Sequence, residues 1–152
     1  MKKTLGFGAT REEMVHIWII YCRSLLEQSA ELWSSSLTIE NAEDLERTQK
    51  SFAKLVLKQE YTDYETALLK LNLQSLEQRR KELCLNFSKD SIKHETLNDL
   101  FPINEQTRET RNKEKYKVLH ANTARLQNSS IVYMQNLLNE EFKQEQSIVK
   151  NS

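Results

Sequence analysis

The sequence predicts an all-α fold: a small bundle of about four to six helices, a polar linker and a C-terminal helix. Three observations carry this. Only two glycines and one proline interrupt 152 residues, and these residues break helices at the greatest cost. Apolar residues recur at spacings of three and four in several segments, the period of a helix with one buried face. Ser or Thr stands three residues before Glu or Gln at several helix starts, the pattern of a capping box. With 38% hydrophobic and 29% charged residues, a chain of this length fills at most one compact domain with a modest core.

Residues 1–9 read as a short flexible lead containing Gly6 and Gly8. Thr10 and Glu13 form the first capping box, and a helix follows to about Ser34. Val15, Trp18, Cys22, Leu25, Ser29 and Leu32 keep helical spacing, while Ile17, Ile19 and Ile20 fill its other faces. A helix apolar nearly all round is buried on several sides, so this one is expected at the centre. Ser34, Ser35 and Ser36 end it.

The second helix runs from Ile39 to Leu57 with Thr38 as its cap. Leu45, Thr48, Phe52, Leu55 and Val56 share one face. At about 100° per residue, Arg47, Lys50, Lys54 and Lys58 fall together on the opposite face. That stripe reads either as a solvated face or as a phosphate-facing one, which holds a nucleic-acid backbone without reading its sequence.

Thr62 and Glu65 make a second capping box for a short helix to about Leu71, with Tyr64, Ala67, Leu68 and Leu71 on its apolar side. Ser75 and Gln78 open the next helix, Leu76 to about His94. Leu76, Leu83, Cys84 and Phe87 lie on one of its faces, and Leu85 and Ile92 nearly opposite. Arg79, Arg80 and Lys81 cluster near its start. Between Arg47 and Lys93, ten Lys or Arg stand against six Asp or Glu, a local excess of four in a chain that balances 22 against 22. No global field therefore draws the chain to nucleic acid or membrane.

Leu97, Leu100 and Phe101 form a turn closed by Pro102, which ends the helical domain at residue 102. Residues 103–115 carry mixed charge and read as a mobile linker. Tyr116, Val118 and His120 alternate with Lys117 and Leu119 as one short strand, which needs a partner. Asn128, Ser129 and Ser130 precede a last helix in which Ile131, Met134, Leu138 and Phe142 keep 3-4-4 spacing. The segment spans residues 116–145, and residues 146–152 form a frayed tail.

Several chemistries have no foundation in these residues. Gly6 and Gly8 lack the third glycine and preceding strand of a dinucleotide fingerprint, and no P-loop or nucleophile elbow is present. His16 lies in an apolar run as a core histidine, His94 serves a helix C-terminus, and His120 has no nucleophile beside it. Cys22 and Cys84, on apolar faces, read as buried thiols of a reducing compartment, the alternative being a disulfide. No cofactor is implied, and no Cys/His pair has metal-ligand spacing. Tyr61–Tyr64 lacks the second aspartate of a two-metal polymerase turn. The run Met14–Cys22 is far short of the roughly 20 residues that span a bilayer. The chain reads as having no membrane partner, and as intracellular, in cytoplasm or nucleus.

Trp33, Leu37, Thr38, Leu45, Glu46, Gln49, Lys50, Tyr64, Ala67, Leu68, Leu76, Arg79, Arg80, Leu83, Cys84 and Phe87 match, in order and spacing, a stretch found after the catalytic palm of non-LTR retrotransposon reverse transcriptases. Tyr116, Asn122, Thr123, Arg125, Asn128, Ser129, Ile131, Tyr133, Met134, Gln135, Leu137, Leu138 and Asn139 match its end. The chain thus resembles the thumb-like region of the jockey-like group from about Gly6 to Glu141. It departs at Ser24 and Val132, where that group often has proline, and at Gln28 and Glu31. The changes imply either a first helix more continuous than in relatives or a copy that has drifted.

The resemblance implies a non-catalytic fragment of an RNA-directed DNA polymerase, without palm aspartates and so not an enzyme on its own. The parent region holds an RNA/DNA template-primer duplex through phosphate contacts. On that implication Arg47, Lys50, Lys54 and Lys58 contact phosphates, and Arg79 and Arg80 assist. A homo-oligomer could cover the surface left by the missing palm. The alternative is a domesticated or drifted helical protein-interaction domain with no nucleic-acid role.

Overall fold

The computed structural model describes residues 8–105 and 114–150. The fold is all-α. In chain order the helices are α1 (Arg11–Ile17), α2 (Ser24–Glu27), α3 (Ala30–Trp33), α4 (Ile39–Leu57), α5 (Tyr64–Leu71), α6 (Leu76–Lys93), α7 (Ala124–Gln127) and α8 (Ser130–Lys150). A π-helical turn, Trp18–Arg23, joins α1 to α2. Among the described residues there is no strand, only one antiparallel bridge between Ile103 and Tyr116. The middle of the polar linker, residues 106–113, lies outside the described residues, as do residues 1–7 and 151–152.

The chain divides into two compact units where its length alone implied one. The first holds residues 1–30 and 37–80, the second residues 31–36 and 81–152. In the first, Trp18, Phe52, Ala53, Val56, Leu57, Ala67, Leu71 and Leu73 form the core, with Met14, Val15, Ile19, Leu26, Tyr61 and Leu68 packed against it. Trp18 stacks on Phe52 with ring centroids 4.5 Å apart, a contact worth about 0.5–1.5 kcal/mol beyond the burial itself.

The capping box of Thr10 and Glu13 forms as its sequence predicts, each side chain bonding the other's backbone N–H. The helix it starts is neither continuous nor central. It turns π-helical at Trp18, where Ser24 Oγ donates to the carbonyls of Ile20 and Tyr21, and it breaks at Ser29, whose φ is 53°. Only Trp18 of its apolar run is fully buried, while Ile17, Ile20, Tyr21 and Leu25 are exposed. His16, expected in the core, is exposed as well. Too many faces of this run are apolar for one core contact to cover.

Helix α4 begins at the predicted cap, with Thr38 Oγ1 accepting from Asn41 N. Its buried face is Gln49, Phe52, Ala53, Val56 and Leu57, rotated from the predicted one, so Leu55 and Thr48 are exposed. Helix α5 is capped by Asp63 rather than Thr62. Its carboxylate accepts from Thr66 N at 2.8 Å, and Thr62 Oγ1 donates to Asp63 itself. The Thr66 bond and its neighbours hold the Asp63 carboxyl below the usual range. Asn72 ends α5 in the left-handed region, φ 52°, which asparagine enters at less cost than most residues.

In the second unit, Cys84, Phe101, Tyr116, Met134 and Leu138 make the core. The buried line of α6 here is Cys84, Ser88 and Ser91, not Leu83 and Phe87. The extended residues near Tyr116 find a partner other than a strand. Asn139 Oδ1 accepts from Tyr116 N and Asn139 Nδ2 donates to Tyr116 O, both at 2.9 Å. One turn earlier on α8, Gln135 Oε1 accepts from Leu119 N, and its Nε2 donates to Leu100 O. Two buried amides thus satisfy backbone groups that a neighbouring strand would otherwise serve. Helix α8 continues past residue 145 to Lys150. Neither cysteine is in a disulfide, and Cys22 is exposed where burial was expected.

Candidate functional site

The basic stripe sits where α4 turns away from the core. Arg47, Lys50, Lys54 and Lys58 are all exposed, roughly opposite Gln49, Phe52 and Val56. Arg47 pairs with Asp44, one turn earlier and also exposed. Lys50 Nζ lies 5.0 Å from the centroid of the Tyr64 ring, and Lys54 Nζ lies 5.5 Å from that of Tyr61. Each cation–π contact at an exposed site is worth about 0.5–1 kcal/mol. The rings steady the two ammonium groups and leave their N–H donors uncommitted. Among the described residues no carboxylate lies within ion-pair distance of Lys50, Lys54 or Lys58. Lys58 stands at the end of the helix with φ 49°, its N–H bonded to Lys54 O.

Arg79 and Arg80 do not join this stripe. Arg79 makes a two-pronged contact with Glu27, Nε to Oε1 and Nη2 to Oε2, both 3.1 Å. Glu27 also lies 3.6 Å from Arg23. Arg80 is 5% exposed. Arg79 is thus tied to Glu27 within the first unit, and Arg80 is buried away from solvent.

Behind the stripe a polar network ties α4 to α5 and α6. Tyr64 Oη donates to Glu46 Oε2, and the other oxygen of that carboxylate accepts from Glu77 N at 2.7 Å, in the first turn of α6. Gln49, fully buried, donates from Nε2 to Tyr64 Oη at 3.0 Å and to Gln74 O at 2.8 Å. Burial, then the hydrogen bond to the Glu46 carboxylate, push the Tyr64 phenol well above its ordinary range. Tyr64 therefore stays a neutral donor and is unsuited to proton transfer near neutral pH.

The rings under Lys50 and Lys54 were not legible in the sequence. Tyr61 and Tyr64 reach the stripe only because the turn after Leu57 folds α5 back on α4, and no local spacing encodes that. Among the described residues no group of three or more His, Cys, Asp or Glu is placed to hold a metal ion, and no helix is long and apolar enough to cross a membrane. The chain matches no protein-family model, no curated protein and no solved structure in comparisons with all three.

Proposed function

We propose that the chain is a non-catalytic, thumb-like helical region of a retroelement reverse transcriptase, and that α4 holds the template-primer duplex through its phosphates. The observation that supports this most is the exposed stripe Arg47, Lys50, Lys54 and Lys58, with two of its lysines held over tyrosine rings. Such a stripe neutralises phosphates and releases counterions without discriminating bases. Arg79 and Arg80, engaged elsewhere, are left out of the contact set. A filter-binding titration of an RNA–DNA hybrid tests it. Salt-sensitive, sequence-independent binding is expected, and no affinity at low salt refutes the reading for this chain.

A second reading, a helical protein-interaction domain, is favoured by one specific feature. Ile17, Ile20, Tyr21 and Leu25 leave an apolar stripe exposed along α1, the π turn and α2. Exposed apolar stripes of this kind mark association surfaces. A second copy of the chain would cover it, and light scattering across a concentration series would show the dimer.

A further inference from the structure

Asn72 turns the chain sharply between α5 and α6. Its left-handed backbone turns two N–H groups back onto α5, that of Asn72 toward Leu68 O and Leu69 O and that of Leu73 to Leu68 O. The reversal opens a groove of about 700 Å³ between one face of α5 and the first turn of α6. Its floor is aliphatic, built from Leu68, Leu69 and Leu73, and Leu69 is 82% exposed. Its charged residues are Glu46, Glu65 and Glu77, with no Lys or Arg among the lining residues. Lys50 approaches only the Tyr64 ring at one margin.

The chemistry of floor and rim defines one occupant. We propose that this groove docks a peptide segment in which an aliphatic side chain is flanked by lysine or arginine. The aliphatic group would take the place of water over Leu69, and the flanking cations would meet the glutamates. Glu46 already serves Tyr64 and the α6 backbone, so Glu65 is the rim charge most available to a ligand. Nucleic acid is the wrong partner here, because carboxylates repel phosphates. The groove and the α4 stripe are thus two surfaces of opposite charge on one unit, and either function stands without the other.

The full chain is titrated into two fluorescein-labelled twelve-residue peptides, one of Lys-Lys-Leu repeats and one of Glu-Glu-Leu repeats, and anisotropy is read. Saturable binding of the lysine peptide alone is expected. Leu69→Ser and Glu65→Gln, both at exposed positions, each weaken it about tenfold at low salt. Glu40→Gln, exposed at the far end of α4, leaves it unchanged. Circular dichroism melts of all three variants establish that they fold. Equal affinity for the two peptides, no saturable binding of the lysine peptide, or a loss with Glu40→Gln as large as with Glu65→Gln overturns the proposal.

Discussion

The Glu46 carboxylate accepts a hydrogen bond from Tyr64 Oη with one oxygen and from Glu77 N with the other. One side chain on α4 therefore positions the start of α5 and caps the start of α6. Acceptance at a helix N-terminus is favoured by the macrodipole as well as by the bond itself.

Replacing Tyr64 by Phe removes the donor to Glu46 and the acceptor of Gln49 Nε2. The expected loss is about 1–2 kcal/mol in urea unfolding at neutral pH. Glu46→Ala should cost more, since α6 then also loses one of two side-chain acceptors at its N-terminus, Ser75 Oγ remaining on Gln78 N. The folded Tyr64 pKa is raised, so its contribution is complete below the unfolded value of 10.0 and declines as pH rises above it. The Phe variant should show a shallower alkaline loss of stability.

Arg79→Ala should separate structure from binding. It strands Glu27, only 12% exposed, with the more distant Arg23. A loss of about 2 kcal/mol is expected, less than for a fully buried pair because Arg23 remains beside Glu27. Affinity for RNA–DNA hybrid should stay unchanged in the variant at temperatures where it is folded. A selective loss of affinity with intact stability would return Arg79 to the contact set.

Ser29 holds a left-handed backbone without glycine. Ser29→Gly should relieve that strain and raise stability by about 1 kcal/mol. Differential scanning calorimetry reads this directly as a higher Tm, and a lower Tm would show that the break carries no strain.

Asp63 caps α5 as an ionised group, its carboxyl held below its ordinary value of 3.8 by the Thr66 N–H. A depressed folded pKa gives stability that is present above the unfolded value and lost as pH falls through the folded one. Asp63→Asn keeps the cap without the titration. The acid limb of the stability profile, below about pH 4, should be flatter in the variant, and identical limbs would mean that Asp63 titrates alike folded and unfolded.

The long elements were legible because cap and period agreed. Thr38 opening α4 and the start of α6 at Leu76 follow from local signals alone. What escaped was tertiary. No Gly or Pro announces the break at Ser29, and the apolar run 14–22 looks central by composition although only Trp18 of it is fully buried, with Met14, Val15 and Ile19 packed against the core. Polar residues in buried lines also mislead a hydrophobic count: Gln49, Ser88, Gln135 and Asn139 are all interior. Gln135 and Asn139 bond backbone groups far along the chain and Gln49 donates to Gln74 O, which no spacing rule reveals, while Ser88 bonds Cys84 O one turn back. Several of the polar residues that carry the resemblance, Glu46, Gln49, Tyr64, Gln135 and Asn139 among them, take part in these hydrogen-bond networks. Of the six basic residues first assigned to phosphate contact, the three on α4 share an exposed face and Lys58 is exposed at its C-cap, while Arg79 was drawn inward by Glu27 and Arg80 by burial, which lie beyond local sequence.

The salt dependence of hybrid binding tests the central claim most directly. For the unmodified chain, log K against log salt should be linear with a slope of about −3 to −4, the counterion release of four phosphate contacts. It should be the same for hybrids of unrelated sequence. Replacing Arg47, Lys50, Lys54 and Lys58 together by Gln should flatten the slope toward zero with the fold intact. Absence of binding at low salt, or an unchanged slope in the fourfold variant, would contradict the assignment of α4 as a duplex-holding helix.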